Sequence, residues 1–158
     1  MTWSRLLSLP PGAWWVAAAL TATIGLALAW PARQEAPAQP PYVDGASEQD
    51  LRQLVHQPGI VQQGRRLFAD NCTLCHGVHG EGLLGPNLRD DYWIGSSDMT
   101  SILTCIADGR PSRGMLAWRN SMSRLQLRAL AAFVASLAGS EDGSGKHPEG
   151  TRQPITWK

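Results

Sequence analysis

Cys72-Thr73-Leu74-Cys75-His76 is the stretch on which the reading of this chain turns. A C-x-x-C-H run is the attachment signature of c-type haem, and the spacing follows from the chemistry. Two thiols three positions apart lie on one side of a helical turn, so each can form a thioether to one vinyl group of the porphyrin. The histidine that follows is then held under the iron as proximal ligand. Two other readings compete. Half of a zinc site would need a second ligand pair, and the one remaining cysteine, Cys105, is solitary. A thioredoxin-like redox motif would need a βαβ setting, and no strand pattern flanks this one.

Working outward, the bulk composition agrees with a domain built around a large apolar group. The chain has 158 residues, enough for one compact domain with appendages. Its net charge is +1 with 17% charged residues, so nothing points to nucleic acid. Two Phe and two Tyr stand against seven Trp, a thin aromatic supply that a haem plate would supplement. Cys105 sits inside the apolar run Ile102-Leu103-Thr104-Cys105-Ile106 and reads as a small buried hydrophobe.

A short N-terminal segment, 1–12, precedes an uncharged run at 13–30 that begins with Trp14 and Trp15 and ends with Trp30. Eighteen helical residues span about 27 Å, close to the hydrocarbon thickness of a bilayer. Trp at both ends fits an aromatic belt. The run predicts an uncleaved transmembrane anchor, with a cleaved signal peptide as the competing reading. Residues 31–58 hold five prolines among small and polar residues and read as a linker, with a short helix around 47–56 capped by Ser47.

From Gly59 the apolar spacing becomes helical through Ile60, Val61, Gly64, Leu67 and Phe68, ending at Asn71. Gly64 costs about 1 kcal/mol against Ala in mid-helix; its expected use is close approach by another helix. Residues 77–97 are glycine-punctuated loop. Asp98 and Ser123 predict caps for helices over 99–107 and 124–137. The domain, 59–139, is all-α, and the Gly-, Ser- and charge-rich tail 140–158 reads as disordered.

His76 fills one axial position. For the other, the candidates are Met99, Met115, Met122, His56, His79 and His147. Met115 is preferred, because its loop, rich in Gly and Pro, can present a side chain inward. A His/Met pair raises the reduction potential over a bis-His pair. A carbonyl from the loop around Pro86 is placed to accept the proximal imidazole N–H. Trp93 and Trp118 are candidate pocket walls or propionate donors, with ordinary core packing as the alternative. No catalytic residue is identified, and Asp90-Asp91 reads as a turn or cap pair.

Gly64-x-x-x-Phe68, the haem motif at 72–76, Gly85-Pro86-Asn87-Leu88, Gly114-Met115 and a last helix with Phe133 resemble class I cytochrome c, in that order, over residues 59–139. Within that class, residues 87–94 and 114–118 are similar to the haem domains of subunit III, the P subunit, of cbb-type haem–copper oxidases. Residues 9–15 and 30–32 resemble that subunit's membrane entry and exit. The resemblance implies one covalent haem c and a periplasmic haem domain on a single-pass anchor in the inner membrane. It also implies one-electron transfer to or within a haem–copper oxidase among respiratory membrane complexes, with no enzymatic step of its own. That subunit usually carries two haem domains, and this chain has one motif. The alternatives are a tethered electron shuttle, a haem enzyme or gas sensor with an open distal site, and a structural subunit with a vestigial haem. Five arginines between Arg110 and Arg128, with no acid among them, suggest a docking surface for an acidic partner, with a solvated helix face and propionate partners as the alternative.

Overall fold

The computed structural model describes residues 39–158; the segment 1–12, the expected anchor at 13–30 and the start of the linker lie outside the described residues. The compact unit is Pro40–Lys158. Its elements in order are α1 (Glu48–Gln53), a 3-10 turn (Leu54–His56), α2 (Pro58–Asn71), α3 (Thr73–His76), β1 (Tyr92–Trp93), α4 (Met99–Asp108), a 3-10 turn (Pro111–Arg113), α5 (Arg124–Leu137) and β2 (Thr151–Arg152). The domain is helical apart from a two-residue antiparallel ladder that pairs Tyr92 with Arg152 and Trp93 with Thr151. Among the described residues no helix is long and apolar enough to cross a membrane.

Helices α1, α4 and α5 start where the sequence supplies a side-chain acceptor for the free N–H groups of the first turn, whereas α2 opens on Pro58, which has no N–H to satisfy. Ser47 Oγ accepts from Asp50 N at 3.1 Å, and Asp98 Oδ1 from Ser101 N at 2.7 Å. Ser123 and Gln126 form a reciprocal capping box at 3.3 and 2.9 Å. The start of α4 gains a second cap from another helix. Both carboxylate oxygens of Glu48 reach it, accepting from Met99 N at 2.9 Å and Thr100 N at 2.8 Å.

The core lies where α2 and α4 pack on α5, around Phe68, Leu103, Leu127 and Leu130. Gly64 is the contact point of α2 with α5. A Cβ there would overlap the Ala129 carbonyl and stand 2.7 Å from Phe133 Cβ. Phe68, one turn further on, then meets Phe133 with ring centroids 5.3 Å apart. The backbone approach that Gly64 permits therefore also sets the end of α2, where the haem motif begins.

Two segment expectations are corrected. The linker 31–58 does not remain a tether as far as residue 58: from Pro40 onward it is part of the folded unit. Leu51 is buried, Tyr42 N donates to Asp108 Oδ2 at 2.9 Å, and Asp44, 8% exposed, is held by Arg128 at 2.5 Å. The tail 140–158, expected to be disordered, folds back. Ile155 is buried, Trp157 lies 5.0 Å from the Arg52 guanidinium, and the Lys158 ammonium donates to the Ala138 carbonyl. Composition misled here because the tail's order comes from partners distant in the chain, such as Gly95 and Ser97 for Gln153 and Arg52 for Trp157.

The run of arginines is corrected in part. Arg119 pairs with Asp108 at 3.1 Å and Arg128 with Asp44, so two of the five serve the fold. The acids come from distant segments, which a local charge count does not see.

Two outcomes follow from this packing. Gly64→Ala gains about 1 kcal/mol of helix propensity but drives a methyl into backbone; a net loss of roughly 1–2 kcal/mol is expected, larger for Gly64→Val, read from denaturant midpoints. Burial works to raise the Asp44 carboxyl, but hydrogen bonds from Arg128, Tyr42 and the Ala46 N–H outweigh it and hold it below its ordinary value. Its contribution is thus present above the unfolded carboxyl value and lost as pH falls through the lower folded value. Arg128→Met is expected to cost about 2–3 kcal/mol at neutral pH and to remove this acid-limb loss, measured by stability against pH.

Candidate functional site

Cys72 closes α2 and opens α3. Its carbonyl accepts from Cys75 N at 3.1 Å and His76 N at 2.9 Å, one tight turn that brings Cys72, Cys75 and His76 to one cavity wall. Gly77, at φ +82°, ends the turn. The chain then folds over the motif: Gly82 N donates to His76 O, and Leu83 N and Gly85 N both donate to Cys75 O. Burial, reinforced by the neighbouring Cys75, pushes the Cys72 thiol up to about 11. A redox-active C-x-x-C pair needs a low-pKa thiolate, so the thioredoxin-like reading is not supported. Among the described residues no three His, Cys, Asp or Glu side chains converge as a metal-ion site, which disfavours the zinc reading.

His76 Nδ1 lies 3.0 Å from the Pro86 carbonyl oxygen. A carbonyl can only accept, so the proton is on Nδ1 and the Nε2 lone pair is left free. Burial lowers the imidazole pKa; the Pro86 bond works against that, and the positive charge of Lys146 adds to the lowering. A neutral imidazole with a free Nε2 is the state in which histidine binds a metal. Gly85 makes the fit possible, since a Cβ there would be 2.8 Å from His76 Cε1.

The cavity in front of His76 measures about 650 Å³, within the range of small-molecule and cofactor sites. Phe68, Ile102, Ile106, Leu130 and Val134 give it apolar walls. Of the six side chains considered for the second axial position, Met115 alone lines it. Met99 is fully buried in the core, and Met122 packs against the core outside the cavity. Met115 is held by paired backbone hydrogen bonds with Arg110, at 3.0 and 3.1 Å, across the turn closed by Gly114 at φ +80°. Pro86, Trp93 and Trp118 also line the cavity.

The cavity carries polar groups without protein partners. Trp93 Nε1 and Asp90 Oδ2 are buried and make no hydrogen bond. A buried indole N–H left unpaired is costly; an apolar plate with anionic substituents would satisfy it. The lining therefore fits a haem: apolar walls, two thiols and an imidazole from one tight turn, a thioether from another loop, and an unpaired indole donor. Sequence reasoning missed three wall residues, Asp90, Cys105 and Arg110. Asp90 does form the expected turn, its Oδ1 accepting from Tyr92 N at 2.9 Å. Arg110 Nε donates to Cys105 Sγ at 3.2 Å. Only the placement of α4 beside the cavity reveals the latter two.

The tail straps the loop that carries Pro86 and Trp93. Lys146 N donates to Glu81 O at 2.7 Å, Asn87 Nδ2 to the Glu141 carboxylate, and Gln153 Nε2 to Gly95 O at 2.7 Å. Ser97 N donates to Gln153 Oε1 at 3.3 Å.

Comparison with known proteins agrees with the geometry. Residues 59–134 match the family described as cytochrome c oxidase, cbb3-type, subunit III. The chain is 37% identical over 95 residues to the cbb3-type cytochrome c oxidase subunit FixP of Rhizobium meliloti, covering 58% of this chain and 32% of that protein. It is 36% identical over 88 residues to subunit CcoP of Rhodobacter capsulatus, covering 49% of this chain and 29% of that protein. The chain thus spans about a third of the length of the curated relatives it matches. Among solved structures, cytochrome cL of Methylophaga aminisulfidivorans aligns with a TM-score of 0.49 at 23% identity, over 65% of this chain and 68% of that one. Residues 59–134, just under half of the chain, thus match a c-type cytochrome domain of the cbb3 subunit III kind, and such a domain carries covalently bound haem c.

Gln153→Ala removes two hydrogen bonds from the strap, each worth about 0.5–1.5 kcal/mol. Amide exchange in the Pro86–Trp93 loop is expected to speed up roughly tenfold while exchange in α5 stays unchanged, as read by mass spectrometry.

Proposed function

We propose that this chain is a membrane-anchored one-electron carrier that passes electrons to or within a haem–copper terminal oxidase. The observation that carries the reading is a single cavity with Cys72, Cys75 and a neutral, oriented His76 on one wall and Met115 also lining it. When bound, haem supplies a one-electron iron couple. The chain's own residues do the rest. Cys72 and Cys75 anchor the group through thioethers. His76 Nε2 serves as proximal ligand, fixed by its Nδ1–H bond to Pro86. Met115 would supply the second iron ligand, a thioether sulfur, which favours the reduced iron and a high potential. The unpaired Trp93 N–H would donate to a carboxylate of the group, while Trp118 and the aliphatic walls would exclude water.

The anchor at 13–30 would hold the domain at the periplasmic face of the inner membrane, where its oxidase partner is reached by short-range diffusion or permanent assembly. Leu74, Leu84 and Leu116, which line the cavity, are exposed, and so is Arg113, which forms no ion pair among the described residues. An apolar rim with an uncommitted cation suits a brief encounter with an acidic partner.

The competing reading from another class is a haem enzyme or gas sensor with an open distal position. Carbon monoxide separates the two. The reduced wild-type protein is expected to stay low-spin and unreactive, and Met115→Ala to bind the gas and lower its midpoint potential by on the order of 0.1 V, within the ~0.8 V that axial ligands span. Carbon monoxide binding by the wild type would favour the sensor. Recovery of an oxidase with the tagged, detergent-extracted protein would mark a permanent subunit, and recovery of the haem protein alone a tethered shuttle.

A further inference from the structure

Asp90 is a carboxylic acid in an unusual position. It is 6% exposed, it lines the haem cavity, and only one of its oxygens is used: Oδ1 takes the Tyr92 N–H, while Oδ2 is buried with no partner. An ionised carboxylate there would be penalised, because no cation offsets its burial. The charges that act on it are both acids: Asp91, next in the chain, and Glu141 from the tail. The cations nearby are committed elsewhere. Arg152 holds Asp91 at 3.1 Å, Arg89 holds Asp142 at 2.9 Å, and Arg110, which also lines the cavity, donates to Cys105. Arg113, the other cation lining the cavity, is exposed.

Resting on the electron-carrier reading, we propose that Asp90 is a redox-linked proton site, taking up a proton through Oδ2 when the domain is reduced and releasing it on oxidation. The balance is simple. One electron enters from the one-electron donor, one proton enters from water, and an O–H bond forms at Oδ2; on oxidation both leave. The sign follows from electrostatics. An added electron makes the cavity more negative, which favours the neutral acid in an environment already short of positive charge. A protonated Oδ2 also becomes a hydrogen-bond donor, one that an anionic group in the cavity could accept. Burial, with Glu141 and Asp91 adding to it, raises the Asp90 carboxyl above its ordinary range, in keeping with this placement. Electron delivery by this domain would then be coupled to pH on its own side of the membrane.

The test is the midpoint potential of the purified haem protein as a function of pH, by optical titration of the wild type, Asp90→Asn, Asp90→Glu and the double variant His79→Gln/His147→Gln. The wild-type potential is expected to fall with rising pH over part of the range, with a slope approaching about 59 mV per pH unit, one proton per electron. Asp90→Asn flattens that segment, Asp90→Glu keeps it at a shifted pH, and the histidine pair leaves it unchanged. Equal slopes in wild type and Asp90→Asn, or a flat wild type, overturn the proposal. Should Asp90→Asn fail to mature, redox-difference infrared spectra of wild type with carbon-13-labelled aspartate decide. A carbonyl band of a protonated carboxyl that appears on reduction and moves with the label supports the site, and a band insensitive to the label refutes it. A preparation with no reversible one-electron change fails the carrier reading itself; a reversible but pH-independent couple fails this inference alone.

Discussion

The helix crossing at Gly64 is the constraint on which the rest of the domain depends. Only a residue without a side chain lets α2 rest on the backbone of α5 at Ala129. That contact sets the height of α2 and brings Phe68 against Phe133 in a tilted ring pair. It also fixes where the helix ends and the turn bearing Cys72, Cys75 and His76 begins. A cavity wall carrying covalent ligands must be positioned to within a fraction of an ångström. Here the positioning comes from packed backbone rather than from flexible side chains.

Around that frame, electrostatics selects the states of the groups at the site. Burial holds the His76 pKa down against the opposing Pro86 bond, while that carbonyl keeps the proton on Nδ1 and leaves the outer nitrogen free. Two buried polar atoms, Trp93 Nε1 and Asp90 Oδ2, are left unpaired on residues that line the cavity. Unpaired groups of this kind are rare in folded proteins and cluster where a ligand completes them. The strap formed by the tail closes over the loop that presents Pro86 and Trp93, so the part of the chain beyond the matched segment 59–134 also shapes the cavity.

Much of this was legible in the sequence because it is local. The C-x-x-C-H turn, the Ser47, Asp98 and Ser123 caps, the helices at Gly59–Asn71 and beyond, and the glycine left for a close approach are all encoded within a few residues of where they act. Pro86 and Met115 were legible for the same reason, each sitting in a short turn with its own signature. What escaped was long-range. The order of the tail depends on Gln153 meeting Gly95 and on Ile155 finding the core. The use of Arg119 and Arg128 as internal ion pairs depends on acids at positions 108 and 44. The presence of Asp90, Cys105 and Arg110 on the cavity wall is a product of the tertiary fold, and no periodicity announces it.

The central claim, that this domain holds haem through two thioethers at Cys72 and Cys75, is tested most directly by extracting the purified, denatured protein with acidified acetone. The account predicts that the haem absorbance stays with the polypeptide, because thioether bonds survive a treatment that strips haem held by coordination alone. Haem recovered in the organic phase, with colourless protein left behind, would contradict it.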